Sequence, residues 1–92
     1  MLWTVSVKKK AQKQAAKLPV GIRKILLRLL AEIETYGPYR NNWQNYGPLG
    51  GNRYHCHLKK GKPTYVAVWE IIDKDVRLVE VSYVGTHERA PY

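Results

Sequence analysis

Ninety-two residues, 45% apolar and 25% charged, describe a single folded domain spanning residues 1–92; at this size a chain buries only about 60–65% of its unfolded surface and has room for one core. That composition excludes a disordered chain. A membrane-spanning helix is excluded too, because the longest apolar stretch, Ile22 to Ile33, is broken by Arg23, Lys24, Arg28 and Glu32.

Sixteen Lys and Arg against seven Asp and Glu give a net charge of +9, and the eight cations between Met1 and Ala31 meet no carboxylate at all. A surface so basic concentrates polyanions, nucleic acid first, with an acidic protein or an anionic membrane behind it. Cys56 is the single cysteine, so no internal disulfide forms. No apolar segment follows Lys8–Lys10, so no secretory leader is expected, and the expected location is the cytoplasm.

In chain order, Leu2 to Val7 sets Trp3, Val5 and Val7 against Thr4 and Ser6, a period of two that predicts a strand. Lys8 to Leu18 is rich in Ala, Lys and Gln and predicts a short helix ended by Pro19. Its lysines crowd the helix N-terminus, where the macrodipole disfavours cations, so that charge serves something other than the helix. Ile22, Ile25, Leu26, Leu29, Leu30 and Ile33 make one apolar face of a second helix, which Gly37-Pro38 stops. The Gly-, Pro-, Asn- and Tyr-rich stretch from Tyr36 to Asn52 reads as a long, functional loop, in which Tyr39, Trp43 and Tyr46 could stack on bases or lie half-buried over the helices.

Three strands follow: Arg53 to Lys59, Tyr65 to Ile72 and Val76 to Val84, joined by Lys60–Pro63 and Asp73–Asp75. The continuously apolar Tyr65–Trp69 marks a central strand. The expected fold is α+β, with two N-terminal helices packed on a four-stranded, mostly antiparallel sheet in the order β-α-α-β-β-β.

The strand Arg53-Tyr54-His55-Cys56-His57-Leu58-Lys59 carries the chemistry. Alternation puts Tyr54, Cys56 and Leu58 on a core face, and Arg53, His55, His57 and Lys59 on the open one, with Lys60 and Lys62 extending the basic row. Paired imidazoles beside cations suit RNA cleavage: one group takes the 2′-hydroxyl proton, another protonates the leaving 5′-oxygen, and cations hold the charged transition state. Plain polar surface explains two exposed histidines about as well. Zinc shared by His55, His57 and His87 is disfavoured, because Cys56 points to the other face and no acidic ligand is near. After Val84 comes Gly85-Thr86-His87-Glu88-Arg89-Ala90-Pro91-Tyr92, a polar tail in which Tyr92 could stack on an unpaired base.

The element order, the Leu49-Gly50-Gly51 approach to the basic strand, and the ending Val84-Gly85-Thr86-His87-Glu88-Arg89 followed by Tyr92 resemble RelE-type toxins of the RelE/ParE superfamily of toxin–antitoxin modules. The resemblance covers nearly the whole chain through short motifs. It implies a ribosome-dependent mRNA endoribonuclease that blocks translation, with a cognate antitoxin, the ribosome and mRNA as partners, no membrane, and no metal or small-molecule cofactor. His55 and His57 match sheet positions that are lysines in RelE-type members and often histidines in HigB-like relatives. His87 matches a catalytic basic position, Arg89 the family arginine after it, and Tyr92 the family's terminal tyrosine, one residue closer here. Arg53, Lys59, Lys60 and Lys62 would hold RNA. One departure stands out: where many members carry Tyr-Arg on the central strand, this chain reads Tyr65-Val66. A phosphate-binding cation must then come from Arg53, Lys59, Lys62 or Arg89, or cleavage is weak or absent. The alternatives are a ParE-like inhibitor of DNA gyrase, which the histidines disfavour, and a non-catalytic RNA-binding homologue.

Overall fold

A computed structural model describes residues 2–92. The elements are β1 (Thr4–Val7), α1 (Lys9–Ala16), α2 (Val20–Tyr36), β2 (Gly47–Gly50), β3 (Arg53–Lys59), β4 (Tyr65–Asp73) and β5 (Leu78–Thr86), closed by a 3-10 turn at His87–Arg89. They form one five-stranded sheet in the order β1-β5-β4-β3-β2. β1 runs parallel to β5 and every other pair is antiparallel. The α+β class and the two helices are as the sequence predicts.

The strand count differs by one. β2 lies inside the stretch expected to be loop, and its sequence Gly-Pro-Leu-Gly has little strand propensity. It pairs on one side only, with β3, and an edge is where a proline costs no ladder bond. Gly50, Gly51 and Asn52 all have positive φ (86°, 59° and 65°), a run of left-handed backbone for which two glycines are suited.

α2 buries Ile22, Leu26, Leu29 and Ile33, with Ile25 and Leu30 half-buried at the margins of the stripe. No helix of the described residues is long and apolar enough to cross a membrane. α1 has no acidic residue in its first turn and no side-chain cap at Lys8, as its lysine-rich start predicts. Both helices cover the face of the sheet that carries Cys56, Leu58, Ala67, Trp69, Ile71, Val79, Val81 and Val84. Trp69 is fully buried and donates its indole N–H to the Pro38 carbonyl at 3.0 Å.

Glu32, one of the charged residues that break the apolar stretch Ile22 to Ile33, ties the loop after α2 to the helix. It accepts bonds from Trp43 Nε1 at 2.9 Å, Asn42 at 3.1 Å and Arg40 at 3.3 Å. Burial pushes its carboxyl up, but those three bonds and the Arg40 charge outweigh it and hold the group below the usual carboxylate range. The loop then runs along β3, where the Gln44 carbonyl accepts the His57 amide at 2.8 Å. Trp43 joins the core. Tyr46 stacks on Tyr54, and Tyr39 meets the edge of Tyr54. Trp43 and Tyr46 thus pack with the core face of β3, while Tyr39 stays exposed at its edge.

Candidate active site on the open sheet face

Among the described residues neither α1 nor α2 packs on the second face of the sheet. Its centre is a small apolar cluster of Val66, Val68 and Tyr83, flanked by Leu49 and Ala90. Pairing aligns His55 with Val68 and His57 with Val66, which sets both imidazoles on this face beside the buried valines. A bulge between His57 and Lys59 interrupts the alternation, so Lys59 does not continue the row as the sequence pattern predicts. Lys59 and Lys62 are exposed at the β3–β4 connection. Of the turn lysines, Lys60 acts electrostatically on His57.

The tail returns over the same face. The His87 amide donates to the Thr64 carbonyl at 2.8 Å, fixing the 3-10 turn beside the start of β4. The Tyr83 hydroxyl donates to the Thr86 carbonyl at 2.7 Å, bracing the exit of β5. Gly85 makes room for that phenol, because a Cβ at Gly85 would sit 2.7 Å from the Tyr83 hydroxyl oxygen.

The result is a ring cluster drawn from three parts of the chain. The His57 and His87 rings are 5.6 Å apart, Tyr92 lies 4.6 Å from His55, and Tyr92 meets His87 edge-on at 5.8 Å. Gly47 of β2 sits opposite His55, where even a Cβ would come within 3.6 Å of the imidazole Nε2. Arg53, one alternation before His55, is half-buried and aligned with Glu70. Arg89 is exposed on the turn.

Burial holds both strand histidines below the usual imidazole range. Neighbouring charges add to this, from His57 and His87 at His55, and from His87 and Lys60 at His57. Near pH 7 both are therefore largely neutral and able to accept a proton. Burial also raises the Tyr92 phenol, helped by Cys56 and Tyr83, so Tyr92 keeps its proton at that pH. The Nδ1 atoms of His55 and His57 are buried without a protein hydrogen-bond partner, so no protein acceptor fixes either tautomer. Cys56 lies on the opposite face, where burial first and Glu32 second push its thiol up to about 12, leaving it unreactive. Among the described residues no group of three or more His, Cys, Asp and Glu side chains could hold a metal ion.

The histidine shifts have a consequence for stability. Unfolded imidazoles titrate near pH ~6.5. Below that value the unfolded chain binds protons that folded His55 and His57 refuse, so stability that is complete above it is lost as pH falls through the folded-state values. The unfolding temperature should be lower at pH 5.5 than at pH 7.5, and the drop should shrink in the double variant His55→Gln/His57→Gln. An equal drop in that variant would assign the effect to other groups.

Tyr83 and the packing role of Gly85 are the parts of this region that sequence reasoning missed. Their only trace there was the Val-Gly-Thr ending.

No protein-family model and no curated protein sequence matches the chain. Solved structures do. A double mutant of the E. coli toxin RelE in the free state superposes with a TM-score of 0.74 at 23% identity, covering 98% of this chain and 88% of that one. The archaeal RelE–RelB complex from Pyrococcus horikoshii OT3 gives 0.73 at 16% identity, covering 98% and 100%. The intact E. coli RelBE toxin–antitoxin complex gives 0.67 at 25% identity, covering 97% and 100%.

Proposed function

We propose that this chain, which has the fold of the RelE-like toxins, is the toxin of a type II toxin–antitoxin module and cuts mRNA on the ribosome. The observation that carries the reading is the convergence of His55, His57, His87 and Tyr92 on one open sheet face. In the reaction, His55 or His57 takes the proton of a 2′-hydroxyl. The 2′-oxygen bonds to phosphorus as the bond to the 5′-oxygen breaks, and that oxygen takes a proton from Tyr92 or His87. The products are a 2′,3′-cyclic phosphate and a free 5′-hydroxyl. Arg53 and Arg89 supply the charge that neutralises the transition state, the work an arginine at Val66 would otherwise do; Val66 is fully buried. A cognate antitoxin belongs to the same reading, since two of the neighbours were solved with RelB partners.

Primer extension on an abundant mRNA from cells expressing the chain tests the proposal. Discrete, translation-dependent cuts within codons are the expected result. Growth arrest with altered DNA supercoiling and uncut mRNA would replace the nuclease with a gyrase inhibitor, and uncut mRNA without arrest would leave only an RNA-binding protein.

A further inference from the structure

β1 pairs with β5 only from Leu78 to Val81. Beyond that point the outer edge of β5 is met by α1. The Lys8 amide donates to the Val81 carbonyl at 2.9 Å, and Gln14 Oε1 accepts the Val84 amide at 3.2 Å. Lys10, Gln14 and Lys17 are spaced i, i+4, i+7, so the helix face that grips the strand edge carries two ammonium groups beside the grip. The cost of lysines at a helix N-terminus thereby gains a structural counterpart.

A groove of about 820 Å³ runs here, bounded by α1, the end of β5 and the tail. Its cations are Lys8, Lys10, Lys17, Arg53 and Arg89, and its one carboxylate is Glu70. Lys8 lies 4.0 Å from Glu80; the other four cations have no ion pair among the described residues. Tyr83 and Gly85 also line the groove. Arg53 stands two residues before His55 on β3 and Arg89 two residues after His87, so the groove ends beside the segments that carry the imidazoles. An acidic protein segment is the other occupant that five cations against one carboxylate admit, and the test below includes it as an outcome.

We infer that this groove holds the sugar–phosphate backbone of the single RNA strand whose neighbouring linkage lies over His55, His57 and His87. The inference rests on the nuclease reading for the identity of the strand, but its test does not depend on cleavage. The full chain is titrated with a fluorescent 12-nucleotide single-stranded RNA, 2′-O-methylated so that it cannot be cut. The variant Lys10→Ala/Lys17→Ala is compared with Lys24→Ala/Lys74→Ala, which removes the same charge from exposed positions outside the groove.

The groove pair should weaken binding roughly tenfold and reduce the slope of log affinity against log salt by about 1.4, near 0.7 for each lost phosphate contact on a single strand. The control pair should stay within about twofold of the parent, its charges being distant and screened. Equal losses in both pairs, or no loss in the groove pair, would overturn the inference. So would tighter binding of a 12-residue oligoglutamate or of duplex RNA than of the single strand. If the RNA result holds while mRNA in cells stays uncut, the proposed function fails and the groove stands. If the groove fails while discrete cuts persist, the reverse is true.

Discussion

Replacing whichever of His55, His57 and His87 carries a proton by alanine is expected to slow mRNA cleavage about 10²–10⁴-fold, the usual contribution of a positioned proton-transfer group. That corresponds to roughly 2.7–5.5 kcal/mol of barrier. The three rings lie on one face within contact of each other or of Tyr92, so their losses should not add: His57→Ala/His87→Ala should be little slower than the worse single variant. The chain should stay folded. The imidazoles of β3 are half-buried on the face opposite α1 and α2, and their Nδ1 atoms have no protein partner to lose. Cleavage should also rise with pH through the depressed titration of His55 and His57, since the base must be neutral. Single-turnover cleavage on programmed ribosomes, with thermal unfolding measured in parallel, checks all of this. Parent-like cleavage by all three alanine variants would remove the histidines from the chemistry.

The largest expected loss of stability comes from the other face. Trp69→Ala should cost about 3–5 kcal/mol, a large part of the roughly 5–14 kcal/mol that a chain of this length commands. Trp69 is fully buried in the centre of the sheet. Its indole N–H also satisfies the carbonyl of Pro38, itself buried, at the point where the chain leaves α2. Trp69→Phe keeps most of the ring but orphans that carbonyl, a penalty of about 1–3 kcal/mol. Urea unfolding of the two variants should therefore rank parent, Phe, Ala. A Trp69→Ala variant within about 1 kcal/mol of the parent would contradict the placement of the core.

The face assignment on β3 was legible because a strand's side chains alternate whatever its surroundings: Cys56 and Leu58 went to the core, and His55 and His57 to the open face. Lys59 escaped that rule because a bulge depends on the partner strand, which a local pattern does not contain. The stripe on α2 was legible for the same reason as the strand alternation. β2 was not, because Gly47-Pro48-Leu49-Gly50 becomes a strand only through its pairing with β3 and the hold of Glu32 on the preceding loop. Glu32 and Trp43 are 11 residues apart and meet through a hydrogen bond that no periodicity encodes. The tail's return to His55 is likewise set by tertiary contacts, the His87 amide on Thr64 and the Tyr83 hydroxyl on Thr86. The lysine groove depends on how far β1 extends along β5, again a matter of pairing.

One chemical substitution bears most directly on the role given to the open face. A message carrying a single 2′-deoxynucleotide at the cleavage position, presented to the purified chain on a programmed ribosome, should remain intact at that linkage. The all-ribose message should yield a 2′,3′-cyclic phosphate there. Cutting of the deoxy linkage at an undiminished rate would contradict attack by a 2′-oxygen, and with it the proton-accepting role of His55 and His57.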